Sequence, residues 1–556
     1  MTRRISLISD LDSMYRILKS NERSTCSKNF CFFSSPMVPS NKTCILVIGG
    51  GPAGSYAATT LAREGLEVVL LEATKFPRYH VGEGMLPSMR HYLKYIDCEE
   101  IFDKHGFMHK PGACFKLRED LRESFTDFNA LGPNFTTWNV IRSEADELLL
   151  NHAAAQGVHV YQETRVDSIS FTGDPANSRP VEAAWTNKSG NSGSIEFDWL
   201  IDASGRSGIM STKYLKNREF REHLRNVAVW GYWRNVTIYQ EGTARSNAPW
   251  FEAMTDGLGW AWLIPLHDGT TSIGVVMHQD ISSKKKKEYP GGPPSLKDHY
   301  LHELSRLPGV LKLIGEKGCL VEGSVRGSTD YSYSAPRYSG DHFRIIGDAA
   351  NFVDPFFSSG VHIAMTGALA AAITICASMK GQAEEIDAQH WHNAKVGISH
   401  TRFLFVVLGA YRQMRQQEQP VLHDVNEDNF DAAFSLFRPV IAGISDASEK
   451  LNDEQIGKVM DFCANIFDPS VGVDNLIAVR KRYNPAYSSL TGPILSVEDV
   501  EKIAPGDPEA HKVFLKMNSL KVIREEADYS VLEKEGMYGY VANTVRGQLG
   551  FCRYEK

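Results

Sequence analysis

From Cys44 the residues CILVIGGG form an apolar run closing on glycines, and EVVLLEA, ending at Ala73, forms a second. Between them PAGSYAATTLAREG carries a helical pattern. Short continuous apolar runs bounded by turns predict buried strands, so this stretch predicts strand, Gly-rich turn, helix, strand. LIDASGRSG (200–208) predicts another strand ending in a turn of small residues, and FRIIGDAANFVDPFFSSGVHIA (343–364) a further strand leading into a long Ala-rich helix. NVAVWGYWRNVTIY, GWAWLIP and TSIGVVMHQ predict several short strands between 220 and 280, and from about 390 the pattern turns helical. The expected class is α/β, with an inserted β-rich region and a helical C-terminal region. No internal repeats interrupt it.

Charge and composition remove several function classes. A net charge of −7 in 556 residues gives no electrostatic case for nucleic acid. The one basic run, Lys284 to Lys287, precedes Pro-Gly-Gly-Pro-Pro and reads as a solvated loop. Nine scattered cysteines without a CxxC pair predict reduced, mostly buried thiols and a cytoplasmic setting. No apolar window is expected to reach the roughly 18 residues of a spanning helix; the best candidates are Phe403–Tyr411 and Ala368–Ala377. Residues 1–43 are polar and Ser-rich, lack a secretory h-region, and read as a disordered extension or an upstream misreading with Met37 as the start.

Gly49, Gly51 and Gly54 fit G-x-G-x-x-G in its required place, after a strand and opening a helix. Gly49 permits the tight turn and Gly51 the approach of a pyrophosphate to the helix N-terminus. Ala53 stands in the same turn, and Gly54 lets helix and strand pack closely. Glu72 ends the second strand 72 − 54 = 18 residues later, where an acidic side chain accepts ribose hydroxyls. The later Gly347-Asp348 at a strand end favours FAD over NAD, with Asp348 accepting ribityl hydroxyls, although a plain helix cap is the simpler reading of that residue alone. Arg142, leading an amphipathic helix, is a candidate phosphate partner or a surface ion pair.

Two features lie outside the nucleotide motifs. In GWAWLIP, Trp260 and Trp262 sit at i and i+2, so a strand would aim both indoles to one face. Core packing is the ordinary reason for such a pair. In GACFK, Lys116 alternates against Ala113, Phe115 and Leu117, which ordinarily means a solvated lysine.

Over roughly 44–380 these motifs resemble the flavoprotein monooxygenase superfamily. Trp260, Trp262, Ile264 and Pro265 match the Trp-x-Trp-x-Ile-Pro signature of its flavin-dependent halogenases. Lys116 in GACFK is similar to a second halogenase mark, a lysine in a Gly-Ala-x-Phe-Lys context. HVGEGMLPSMRHYL (80–93) and EDNFDAAFSLFRPVI (427–441) are similar to the phenol- and polyketide-chlorinating, fungal-type subgroup.

The resemblance implies that FADH₂ from a separate reductase, O₂ and chloride yield a hypochlorous-acid equivalent, which Lys116 holds or carries as a chloramine. An electron-rich phenolic ring is then chlorinated by electrophilic substitution. Chloride is expected at Ser359 and Gly360, at the start of a helix. Trp260 and Trp262 become a partition between flavin and substrate, shaping the site rather than reacting. Phe357 replaces a glutamate of the tryptophan-chlorinating relatives, which disfavours an indole substrate. Gly84 stands where relatives more often carry serine. No metal is implied.

The expected organisation is an N-terminal extension (1–43), a FAD-binding domain in two parts (44–219, holding the Lys116 strand, and 336–390), a β-rich substrate-covering region (220–335), and a helical region closing the pocket (391–556). Two competing readings are an NAD(P)H-dependent aromatic hydroxylase or prenyl-type reductase on the same fold, and a flavin-binding protein without catalysis.

Overall fold

The computed structural model describes residues 38–415 and 473–554, apart from 118, 120–122, 129–135, 222–223, 330–331, 490–491, 494, 496, 528–532 and 534–535. The segments 1–37 and 427–441 thus lie outside the described residues.

Strand β1 (Lys42–Ile48), helix α1 (Pro52–Arg63) and strand β2 (Val68–Leu71) form the expected unit. β1 and β2 run parallel, Ile45 opposite Val68 and Ile48 opposite Leu71. β2 is buried at every position, as its unbroken apolar run requires. The chain then enters β3 (Gly112–Lys116), helix α2 (Arg142–Ala155), β4 (His159–Tyr161) and β5 (Ser192–Asp202). β4 lies parallel to β2, and β5 parallel to β1.

Next come β6 (Asn226–Arg234), β7 (Trp250–Ala253), β8 (Gly259–Pro265) and β9 (Thr270–His278). β10 (Phe343–Ile345) returns to the first sheet, parallel to β5. The second sheet runs β6-β9-β8-β7-β3 through its centre. β3, expected in the FAD-binding domain, pairs instead with β7. Both sheets share one compact unit, Val38–Lys556.

Helices α3 (Gly360–Met379) and α4 (Glu385–Arg415) follow. By length and composition α3 could cross a membrane, contrary to the expectation that no window would, yet 94% of its apolar window is buried in the protein. Its alanines and Gly367 permit that: α3 is wedged between α1 and α4, where only small side chains allow close approach.

The C-terminal part is helical where it packs on the tryptophan face of the second sheet. Val513 and Phe514 join Leu404, Val407, Trp260 and Phe251 in one core. It then departs from the helical expectation. Tyr540–Asn543 and Gly550–Arg553 form a hairpin whose Leu549 and Phe551 enter the core beneath α3, Phe551 lying 5.2 Å from the ring of Trp391.

The basic run is also different from expectation. Gln279–Lys287 is a helix, and Lys285 reaches Asp256 and Glu303 at 2.7 Å each. Those acidic partners are distant in sequence, which the local charge run could not reveal. Among the described residues Cys44, Cys98, Cys114, Cys319, Cys376 and Cys552 are free thiols.

Candidate active site

A cavity of about 610 Å³ lies between the two sheets. At one end it is lined by Gly49, Gly51, Ala53, Glu72, Arg142 and Asp348, and at the other by Phe251, Trp260, Trp262, Ser358 and Gly360.

The glycine turn fits a dinucleotide. Gly49 has φ +104°, and a Cβ there would overlap Ala203 O; a Cβ at Gly54 would overlap Gly49 O. At Gly51 a Cβ would meet only Arg78 Nη2, at 3.4 Å, so the space before the α1 N-terminus is left for a ligand. Glu72 accepts from the backbone of Gly50 at 2.7 Å and of Thr74 at 2.8 Å, which ties the turn to the end of β2. Burial pushes the Asp348 carboxyl up to about 6, with Arg142, Arg206 and Arg218 opposing the shift.

Arg142 lines the cavity with its guanidinium held by protein groups. It donates to Asp146 at 2.9 and 3.2 Å and to the carbonyls of Val81 and Gly82 at 3.0 and 3.4 Å. It therefore clamps the loop Val81–Gly84 against the cavity. The charge of Arg142, together with burial, lowers His80 to about 4, so that imidazole is neutral.

Trp260 and Trp262 project to one face of β8, as their spacing predicts, with ring centroids 5.9 Å apart and planes tilted by 51° rather than stacked. Trp260 donates to Tyr411 Oη at 2.7 Å and Trp262 to Ser272 Oγ at 3.1 Å. Gly274 lies opposite Trp262 on β9, and any Cβ there would overlap the indole. Phe115 packs with Phe251, Phe356 and Phe357 beside this wall at centroid distances of 5.2–5.8 Å. Phe357 does not border the cavity and belongs to that aromatic cluster.

Lys116 is placed elsewhere. In register it stands beside Glu252, as Phe115 stands beside Phe251. Phe251 shares its face with Trp262, so Lys116 falls on the opposite face, and its Nζ donates to Glu119 O at 3.2 Å. It does not border the cavity.

A different lysine lies close to the cavity. Lys110 ends the short strand Met108–Lys110, paired with Thr137–Asn139, and is 1% exposed. Its Nζ donates to Met85 O at 2.8 Å. A Cβ on Gly84 would stand 3.3 Å from Lys110 Nζ and 2.7 Å from Ser358 Oγ. Gly84 and Ser358 both line the cavity, so the bare glycine backbone separates this amine from it. Burial lowers Lys110 to about 7. The sequence carries no local signal for this residue, since HKPG reads as a polar turn.

At the other expected anion site, Gly360 borders open space at the start of α3. Ser359 is fully buried with an unpartnered Oγ, just behind the cavity lining. Away from the cavity, His105, Glu144 and His267 bring three donor atoms within 4.8 Å of one another. Hydrogen-bond distances of 2.6 and 3.2 Å to the Glu144 carboxylate account for that cluster without an ion.

Comparison with known proteins identifies the frame. Residues 42–393 match the FAD binding domain family. The flavin-dependent halogenase armH5 of Armillaria mellea is 58% identical over 518 residues, covering 92% of this chain and 98% of its own. The sulochrin halogenase gedL of Aspergillus terreus is 51% identical, covering 92% of this chain and 94% of its own. Among solved structures, the myxobacterial chondrochloren halogenase CndH superposes with a TM-score of 0.62 at 26% identity, over 76% of this chain and 97% of its own.

Proposed function

The chain belongs to the flavin-dependent halogenases, and from that premise we propose that it chlorinates a phenolic, polyketide-derived ring using FADH₂, O₂ and chloride. When bound, reduced FAD supplies, with O₂, the oxidising power that turns chloride into a hypochlorous-acid equivalent. The rest of the work falls to the chain. Gly49, Gly51 and Ala53 would receive the pyrophosphate at the α1 N-terminus, Glu72 the ribose and Asp348 the ribityl chain, with Gly54 letting α1 pack against the turn. Chloride is held where α3 begins, by the amides around Gly360 with the Ser359 hydroxyl behind them.

We assign to Lys110, rather than Lys116, the handling of the oxidant. With a pKa of about 7, a large share of Lys110 is a neutral amine near pH 7. That amine can donate a hydrogen bond to hypochlorous acid, or react as R–NH₂ + HOCl → R–NHCl + H₂O and return to the amine when chlorine passes to the ring. Trp260 and Trp262 exclude water and keep the ring from the flavin. Phe357 offers no carboxylate, which suits a phenol: losing its own proton activates it. A separate reductase supplies FADH₂, in keeping with the absence of a second strand-GxGxxG-helix unit in the sequence.

The observation that carries the reading is that one cavity is bordered both by the nucleotide turn and by the tryptophan pair, with a buried lysine behind Gly84. Incubation with FAD, a flavin reductase, chloride and a panel of phenolic polyketides should give products with the chlorine isotope pattern. Steady NADPH oxidation without a reductase, yielding hydroxylated product, would refute it.

A further inference from the structure

We infer that Tyr79, Tyr232 and Glu83 form a proton relay from solvent into the flavin cavity, an inference that rests on the halogenase reading. Glu83 lines the cavity and is 2% exposed. Its Oε1 accepts from Tyr232 Oη at 2.9 Å, and Tyr232 Oη lies 3.0 Å from Tyr79 Oη. Tyr79 is 46% exposed, so a continuous file of three oxygen-bearing groups joins the cavity to the surface.

The file has a direction. Trp230 Nε1 donates to Tyr79 Oη at 2.7 Å, which leaves the Tyr79 hydrogen to point at Tyr232. Tyr232 in turn points its own hydrogen at Glu83. The arrangement passes protons inward. Burial raises all three groups, so both tyrosines stay as phenols and Glu83 can hold a proton.

The chemistry needs such a supply. Summed over one turnover, FADH₂ + O₂ + Cl⁻ + H⁺ + Ar–H → FAD + Ar–Cl + 2 H₂O consumes one proton that neither flavin nor substrate provides. At its tryptophan end the cavity is walled by the buried Phe251, Trp260 and Trp262, so a proton used there is best supplied by a defined entrance. As the Glu83 carboxyl gives its proton to an oxygen leaving as water, Tyr232 gives its hydroxyl proton to Glu83. Tyr79 refills Tyr232, and solvent refills Tyr79. The three groups end as they began. Trp230 also packs 6.3 Å from Trp262, so the wall and the relay are braced by one side chain.

The test uses Tyr79→Phe and Tyr232→Phe, which remove one hydroxyl each. In flavin-free protein, held at a pH where Glu83 is protonated, infrared difference spectra against Glu83→Gln follow exchange of the carboxyl hydrogen with D₂O. Exchange should slow at least tenfold in both variants. In the holoenzyme, flavin retention should be unchanged, single-turnover chlorination should fall about 10–100-fold, and small weak acids should restore Tyr232→Phe. Wild-type exchange rates in both variants, or a rate loss that weak acids leave untouched, would overturn the relay. Failure of the wild-type protein to chlorinate anything would sink the halogenase reading instead, while the exchange comparison would still decide whether the relay conducts.

Discussion

Lys116 and Glu252 stand side by side on paired strands, on the face of the second sheet turned away from Trp260 and Trp262. A lysine there does not meet an oxidant confined on the other side. Lys110→Met should therefore retain FAD yet lose chlorination by roughly 10²-fold or more, as expected when a positioned acid or nucleophile is removed. Lys116→Ala should stay within about threefold of wild type. Product formation under single turnover checks both; equal losses in the two variants would return the role to Lys116.

Lys110 also makes stability depend on pH. Its folded pKa, about 7, lies below the ordinary lysine value of 10.5, so the folded protein binds fewer protons than the unfolded chain between those limits. Below pH 7 the cost is fully present, and it fades as pH rises toward 10.5. Lys110→Met should thus be more stable than wild type at pH 6–7, by on the order of 3–5 kcal/mol at most, with the gap closing by pH 10. Denaturant unfolding at several pH values measures it.

Gly51→Val should fold and fail to hold FAD. The space at Gly51 contains only Arg78 Nη2, so the branched side chain disturbs little protein while occupying the pyrophosphate position. Flavin fluorescence after gel filtration, beside a thermal melt, separates the two effects. Gly54→Val, whose Cβ would overlap Gly49 O, should fail on both counts.

Trp262→Ala should open the partition. Gly274 beneath the indole cannot fill the gap, so the cost should approach the roughly 3–5 kcal/mol typical of buried Trp→Ala. Free hypochlorous acid or peroxide should appear in solution, trapped by a small thioether, as ring chlorination falls.

Much of this fold is readable because it is local. β1, α1 and β2 follow from successive apolar runs, and the shared face of Trp260 and Trp262 follows from a period of two. At GACFK the same period also holds, setting Lys116 opposite Phe115; the resemblance, and not the period, put that lysine beside the oxidant. Alternation separates Phe115 from Lys116, but both faces of this sheet are buried, and only the register with β7 shows which one meets the cavity. Nothing local marks Lys110, and Glu83 stands inside the quoted stretch 80–93 with no signal of its own role. Their burial comes from Thr137–Asn139, Tyr232 and the Ser358 turn, segments up to 248 residues away along the chain (358 − 110).

The terminal hairpin imposes an order on synthesis. α3, apolar enough to pass for a membrane span, has part of its cover supplied by Leu549 and Phe551, which are translated long after α3 itself. While the ribosome adds the intervening 170 or so residues (549 − 379 = 170), that strip of α3 has no lid. The nascent chain must then rely on holding factors or on speed. A premature stop before residue 540 would leave a polypeptide whose stickiest helix is never closed over.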